Sequence, residues 1–195
     1  MLISWGTKIM ECALSAYPPL VRLYKCYYRS IVEDEIKIAR ITDKDRVLCI
    51  GGGSVPCTAM QIAKFTGAKV KVIDIDEVAV KRARVVVEQF GLGDFVIVEQ
   101  ASGEIVDLDG ITVVHLAVQI SPKNLVIDHV WRNAAPSTRV IVRVPQDALR
   151  SYYCNASELT MPFEFHQYGN KFRNVKGTML LVKPASANAP ALSVS

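Results

Sequence analysis

The run Val47-Leu48-Cys49-Ile50-Gly51-Gly52-Gly53-Ser54-Val55-Pro56, with Val72-Ile73-Asp74-Ile75-Asp76 about twenty residues further on, constrains the fold more than any other feature of the chain. Four apolar residues predict a buried strand. The glycines after them let the backbone turn sharply and approach a ligand where a Cβ would clash. Pro56 suits the first turn of a following helix, where an amide N–H has no partner to lose. A second apolar strand, Val70 to Ile73, ends in Asp74, which can accept hydrogen bonds from both hydroxyls of a ribose. A glycine turn alone is a weak signal. Strand, glycine turn, helix, strand and acid in that order form one βαβ unit with a nucleoside-type site at its turn.

The rest of the chain repeats the alternation. Thr58 to Phe65 makes the first core helix and Gly67 ends it. Asp76 can cap the next helix, whose Ala79, Ala83, Val86, Val87 and Phe90 share a face, while Lys81, Arg82 and Arg84 read as a solvated one. A third strand spans Phe95 to Glu99, and Asp109-Gly110 turns into a fourth, Ile111 to Leu116. Ser121-Pro122 starts a helix carrying Val126, Val130 and Trp131, and a fifth strand, Val140 to Arg143, follows. Phe163 to Tyr168 and Thr178 to Val182 read as an antiparallel hairpin at the sheet's edge. The fold class is therefore α/β: a doubly wound, mostly parallel sheet with an antiparallel edge hairpin. Ligands of such sheets sit at the C-terminal ends of the strands. Gly51 to Val55, Asp74, Gln100 to Ser102 and Ala117 to Gln119 all follow strand ends and converge on one crevice.

The glycine pattern narrows the ligand. A dinucleotide fingerprint places a third glycine where this chain has Pro56, so a pyrophosphate fits poorly and a smaller adenosyl ligand fits better. The turn, the acid and the order of elements resemble the Rossmann-like class I S-adenosylmethionine-dependent methyltransferase fold. More narrowly, Gly51-x-Gly53-Ser54-Val55-Pro56-x-Thr58 is similar to the G-x-G-P-L-P-x-T turn of the nicotianamine synthase family. That family uses the methyltransferase fold to move the aminocarboxypropyl arm of S-adenosylmethionine rather than its methyl. The resemblance runs through Val118-Gln119-Ile120-Ser121-Pro122-Lys123, Val140 to Arg143 and Gly177 to Lys183, covering roughly residues 28 to 183.

The resemblance implies S-adenosylmethionine as donor, with S-adenosylhomocysteine or methylthioadenosine as product and a small-molecule acceptor. It implies a donor site of Gly51, Gly52, Gly53, Ser54, Val55, Asp74, Ile75, Ser102, Ala117 and Gln119. Three departures accompany it. Family members carry a helical domain ahead of the first strand that supplies an active-site acid, and only 46 residues precede Val47 here. Where methyltransferase folds follow the third strand with an acid for the adenine amino group, this chain has Gln100-Ala101-Ser102, so Ser102 or the Gln100 side chain takes that place. Cys49 stands where many relatives have an acid, and reads as a small buried hydrophobe.

Composition bounds the remainder. A chain of 195 residues supports one domain, read as residues 1–183 with a helical extension or lid over 1–40 and a loose tail over 184–195. A formal charge of +4 is far from the dense basic stripe of a nucleic-acid groove, so nucleic acid is not indicated. Five scattered cysteines, Cys12, Cys26, Cys49, Cys57 and Cys154, show no C-x-x-C spacing, which points to a reduced, cytoplasmic protein without a metal site. No stretch is long and apolar enough to span a bilayer. The oligomeric state is not legible, a homodimer being one candidate.

Catalytic candidates come from the first helix, where Leu20, Tyr24, Tyr27, Tyr28, Ile31 and Ile38 form one apolar stripe beginning near Pro18-Pro19. Glu35 shares that stripe, and a carboxylate there needs a partner. The plainer reading makes it a rim glutamate paired with a lysine or arginine; the functional reading makes Glu35, with Tyr28, part of the active site. His115, His129 and His166 lack spaced partners and read as structural. Three function classes remain open: a group transferase, a non-catalytic nucleoside-binding protein, and a nicotinamide-dependent oxidoreductase, against which Pro56 argues.

Overall fold

The computed structural model describes residues 18–146, 164–167 and 175–185, with side chains from Tyr28 onward except those of Phe165 and Gln167. The sheet has seven strands: β1 (Arg46–Ile50), β2 (Lys69–Asp74), β3 (Val96–Gln100), β4 (Val113–Leu116), β5 (Arg139–Pro145), β6 (Glu164–Gln167) and β7 (Val175–Val182). Their order is β3-β2-β1-β4-β5-β7-β6. The first five are parallel, and β7 runs antiparallel between β5 and β6. The chain reverses direction across the sheet between β1 and β4, which opens a crevice at that switch point.

Four helices cover the sheet: α1 (Pro18–Ile38), α2 (Cys57–Thr66), α3 (Glu77–Gln89) and α4 (Lys123–Asn133). One face packs Val47, Cys49, Val70, Val72 and Ile141 against Val32 of α1, Met60 and Ile62 of α2, and Ala83 and Val86 of α3. The opposite face packs Leu48, Ile50, Leu116 and Val142 against Val126, Ile127, Val130 and Trp131 of α4. Adjacent strand residues alternate between these layers, as the pleat requires. Gly67 caps α2 at φ 77°, and Asp76 accepts from the amides of Val78 and Ala79 at the start of α3.

The sequence placed these elements within one to three residues. Pro56, expected in the first turn of α2, is its N-cap. The portion of α1 from Tyr28 onward packs its apolar stripe into the core, with Ile31 and Val32 fully buried. The tail beyond residue 185 and the N-terminal 17 residues lie outside the described ones. Among the described residues, no helix is long and apolar enough to cross a membrane, and no cluster of side chains suits a metal ion.

Candidate functional site: a crevice at the strand ends

The crevice encloses about 360 Å³ above the C-terminal ends of β1, β2, β3 and β4. Its shallow part is built on the glycine turn. The amides of Gly51 and Gly52 both donate to the Ile73 carbonyl, at 2.9 and 3.2 Å, which folds the turn onto the end of β2. Gly51 and Gly53 take φ of 77° and 62°, where a side chain would be strained. A Cβ on Gly52 would lie 2.2 Å from Val72 Cγ1, so the chain passes too close to β2 for any other residue.

Asp74 closes this turn from the side. One carboxylate oxygen accepts the Gly53 amide at 2.8 Å and the other the Asp76 amide at 3.0 Å. Each oxygen keeps a second acceptor position, and the residue is only half-buried, so the same carboxylate that locks the turn can receive two hydroxyls. Next to it Ile75 is 67% exposed, an apolar side chain on the crevice wall. A planar ring would find a slab there.

All ten residues expected at a donor site, Gly51, Gly52, Gly53, Ser54, Val55, Asp74, Ile75, Ser102, Ala117 and Gln119, line this crevice. Gln100 does not. Its amide donates to the Ile75 carbonyl at 3.2 Å, tying the ends of β2 and β3 together. The sequence reading also missed Glu104, which lines the wall two residues beyond Ser102 and whose amide donates to Ser102 Oγ. Glu104 sits four residues past the end of β3. Gly103 was the available signal, because a Cβ there would lie 2.7 Å from Ile50 Cγ2 and the tight bend carries Glu104 back to the crevice.

The deep end has a different character, with Tyr28, Cys49, His115 and Arg143 forming its floor. Cys49 and His115 are register partners on β1 and β4, and Arg143 and Thr178 on β5 and β7. Arg143 lies two residues beyond Ile141, itself the partner of His115, so all four side chains project from one sheet face. Polar groups on a buried face require partners. Glu35, on the helix laid across that face, supplies them. It accepts from Arg143 Nε and Nη2 at 2.9 and 2.7 Å and from Thr178 Oγ1 at 2.9 Å, and it meets His115 Nε2 at 3.2 Å.

The arginine partner expected for Glu35 is Arg143, but the pair is fully buried rather than at a rim, and Glu35 lies beneath the crevice rather than lining it. Burial alone would raise its carboxyl, but Arg143 and His115 outweigh that and hold it well below the usual carboxylate range. A carboxylate so strongly held as an ion is a poor proton acceptor. Burial lowers His115 from its usual value, with Glu35 opposing, and pushes the Cys49 thiol up to about 12. Tyr28 does line the floor, its ring 5.3 Å from the Arg143 guanidinium carbon. His115, read from sequence as structural, is both buried and at the crevice. Beside the floor, the fully buried Lys123 donates to the carbonyls of Val118 and Arg143 at 3.0 and 3.2 Å, fixing the loop after β4 to β5.

No protein-family model matches the chain. It is 32% identical over 85 residues to an L-histidine 2-aminobutanoyltransferase of Yersinia pestis, a match that spans 44% of this chain and 32% of that relative's length. A variant of the nicotianamine synthase MtNAS, solved in complex with S-adenosylmethionine, superimposes with a TM-score of 0.70 at 24% identity, over 81% of this chain and 62% of that one. An RNA methyltransferase of Salinibacter ruber, solved with S-adenosyl-L-homocysteine, gives a TM-score of 0.67 at 19% identity, over 85% of this chain and 97% of that one. Strand order, the glycine turn at the switch point and these superpositions agree: the chain has the class I S-adenosylmethionine-dependent methyltransferase fold.

Proposed function

We propose that this protein is an S-adenosylmethionine-dependent transferase that moves an aminocarboxypropyl or methyl group to a small-molecule acceptor. The observation that carries this reading is Asp74, half-buried at the end of β2, with both oxygens bound to the turns that frame the crevice and with acceptor capacity to spare. That arrangement suits a ribose. Gly51 to Val55 would flank the donor's amino-acid portion, Ile75 would lie against its adenine, and Ser102 or Glu104 would meet the adenine's exocyclic amine. The sulfonium of such a donor activates the carbons attached to it, so the protein's own task is to place a nucleophile and exclude water.

The two-part crevice supports transfer over simple binding. A shallow nucleoside end adjoins a floor of buried polar side chains, which a protein that only held a nucleoside would not need. The Yersinia pestis relative, by its name an aminobutanoyltransferase, and the nicotianamine synthase superposition favour the aminocarboxypropyl arm over the methyl. We read residues 1–183 as one donor-binding domain and place the protein in the cytoplasm on its five scattered cysteines, which show no C-x-x-C spacing. Calorimetric titration with S-adenosylhomocysteine, methylthioadenosine and NAD tests the assignment. Micromolar binding of an adenosyl compound is expected, and binding of NAD with neither adenosyl compound would refute it. Mass spectrometry of products from S-adenosylmethionine and a panel of L-amino acids then identifies the transferred group.

A further inference from the structure

We propose that the face of β2 and β3 on the side that carries α4 is the surface on which two copies of this chain associate. A parallel sheet is ordinarily covered on both faces, because each crossover between parallel strands lays a helix on one of them. Here β1 leads to β2 through α2, β2 to β3 through α3, and β4 to β5 through α4. The crossover from β3 to β4 has to pass β2 and β1, yet its residues, 101–112, contain no helix. Val106 and Leu108 of this connection pack with Ile73 in the layer under α4. The rest of the two strands stays open on that side among the described residues. Val96 and Val98 belong to the opposite layer, so Ile97 and Glu99 of β3 alternate onto this face, in register with Lys71 and Ile73 of β2. Ile97 is 60% exposed, although it sits within a seven-stranded sheet.

The chemistry of this face suits a copy of itself. Phe95, two residues before Ile97, is 37% exposed, and Ile105 in the connection 80%. Large apolar side chains gathered in one exposed place mark an association surface. Charges of both signs stand beside them. Lys69 lies over the Phe95 ring at 4.6 Å, and Lys71 pairs with Glu99 at 2.8 Å. With Asp94 next in sequence to Phe95, two cations are matched by two acids, so the patch has no net positive field to draw a nucleic acid or an anionic membrane. An interface related by a two-fold axis needs one patch that supplies both members of every contact. This one does: Lys71 can meet Glu99 of a second copy as it meets its own, while the two Ile97 side chains close on each other. Strand addition at the sheet's edge is the poorer route. The edge strand β3 has only five residues, and its Val98 carbonyl accepts from Arg84 Nε at 2.8 Å, two features that blunt an edge. The contact is therefore face to face.

Sedimentation of the full chain across a concentration series tests this. The wild type should run as a dimer that dissociates on dilution. Ile97→Glu sets a carboxylate beside Lys71 in the single chain but buries two of them in the dimer, so it should raise the dissociation constant about thirtyfold or more and leave the circular dichroism unchanged. Should that variant fail to fold, Ile97→Ala carries the test, with the constant raised about tenfold. Lys71→Glu and Glu99→Lys should each weaken the dimer, and the two together should recover part of the loss, because the exchange regenerates the internal and the crossed pairs alike. A wild type that sediments as one chain at every concentration would overturn the proposal. So would a dimer whose constant moves less than about threefold in a folded Ile97→Glu, since another face would then hold it. Maleimide labelling of Ile97→Cys, read by peptide mapping, identifies any other occupant: a position 97 shielded in a protein that sediments as one chain would assign the face to another segment of the same chain and overturn the proposal too.

Discussion

Replacing Glu35 by Gln keeps the shape of the side chain and removes its charge. The carboxylate is fully buried and receives two hydrogen bonds from Arg143, one from Thr178 and one from His115, at 2.7 to 3.2 Å. The glutamine amide can satisfy at most part of this set, because its NH₂ group must point at a guanidinium or at an imidazole N–H. The guanidinium then loses the charge of the fully buried carboxylate it meets at 2.7 Å, and breaking such a pair costs about 3–5 kcal/mol. Against a net stability of about 5–15 kcal/mol that is a large fraction. For a chain of this size each kcal/mol shifts Tm by about 2–4 °C, so Glu35→Gln should melt about 6–20 °C lower. Urea denaturation should show the midpoint falling with an unchanged slope. Adding Arg143→Met to Glu35→Leu should recover part of the loss, since an apolar replacement of both partners leaves no orphaned charge. A single-variant loss below about 1 kcal/mol would refute the reasoning, because that is the magnitude of a surface pair.

Asp74→Ala should weaken binding of S-adenosylhomocysteine at least about tenfold in calorimetry, and should also destabilise the fold by about 1–3 kcal/mol, because the Gly53 and Asp76 amides lose their acceptor; unchanged affinity in a folded variant would move the ribose contact elsewhere. Gly52→Ala should cost about 1–3 kcal/mol in urea denaturation, with Val72→Ala in combination restoring part of it, as the added methyl falls on Val72 Cγ1. Acidification should destabilise the protein from about pH 6.5 downward. His115 and Glu35 both have folded proton affinities below their unfolded ones, so each contributes stability that is present above the unfolded value and lost as pH falls; a flat melting temperature between pH 7 and 4 would contradict this. Cys49, its thiol pushed up to about 12 by burial, should resist iodoacetamide at pH 8 in the folded protein, and peptide mapping that finds it alkylated as fast as an exposed thiol would disprove the assignment.

The donor half of the site was legible because its signals are local. Strand, turn and acid fall within 28 residues from Val47 to Asp74, and the close approach that requires Gly52 is to Val72 in the same βαβ unit. The floor was not legible in the same way. Glu35 is separated from His115 by 80 residues, from Arg143 by 108 and from Thr178 by 143, and no spacing rule joins them. What the chain did show was a polar residue out of place in each of three buried elements: Glu35 on an apolar helical stripe, His115 within Val113-Val114-His115-Leu116, and Arg143 within Val140-Ile141-Val142-Arg143-Val144. Each alone admits a bland reading. Taken together, an acid and two bases that must all be buried in one small domain have few partners except one another. Gln100 misled for the opposite reason. It is the last residue of a strand whose end points at the crevice, but its side chain serves the adjacent turn instead.

Lys123 gives the molecule an internal clock. Its ammonium is fully buried and bound to two carbonyls on either side of the crevice floor, so an acylating reagent reaches it only after β5 and the loop after β4 have parted. Exposed lysines such as Lys37 and Lys81 react whether or not that happens. The ratio of label at Lys123 to label at those surface positions therefore measures how often the floor opens, without mutation and without a bound ligand. A donor that binds only the closed crevice would slow the labelling of Lys123 alone, in proportion to its concentration, and the same mass spectrum would report both occupancy and the frequency of opening.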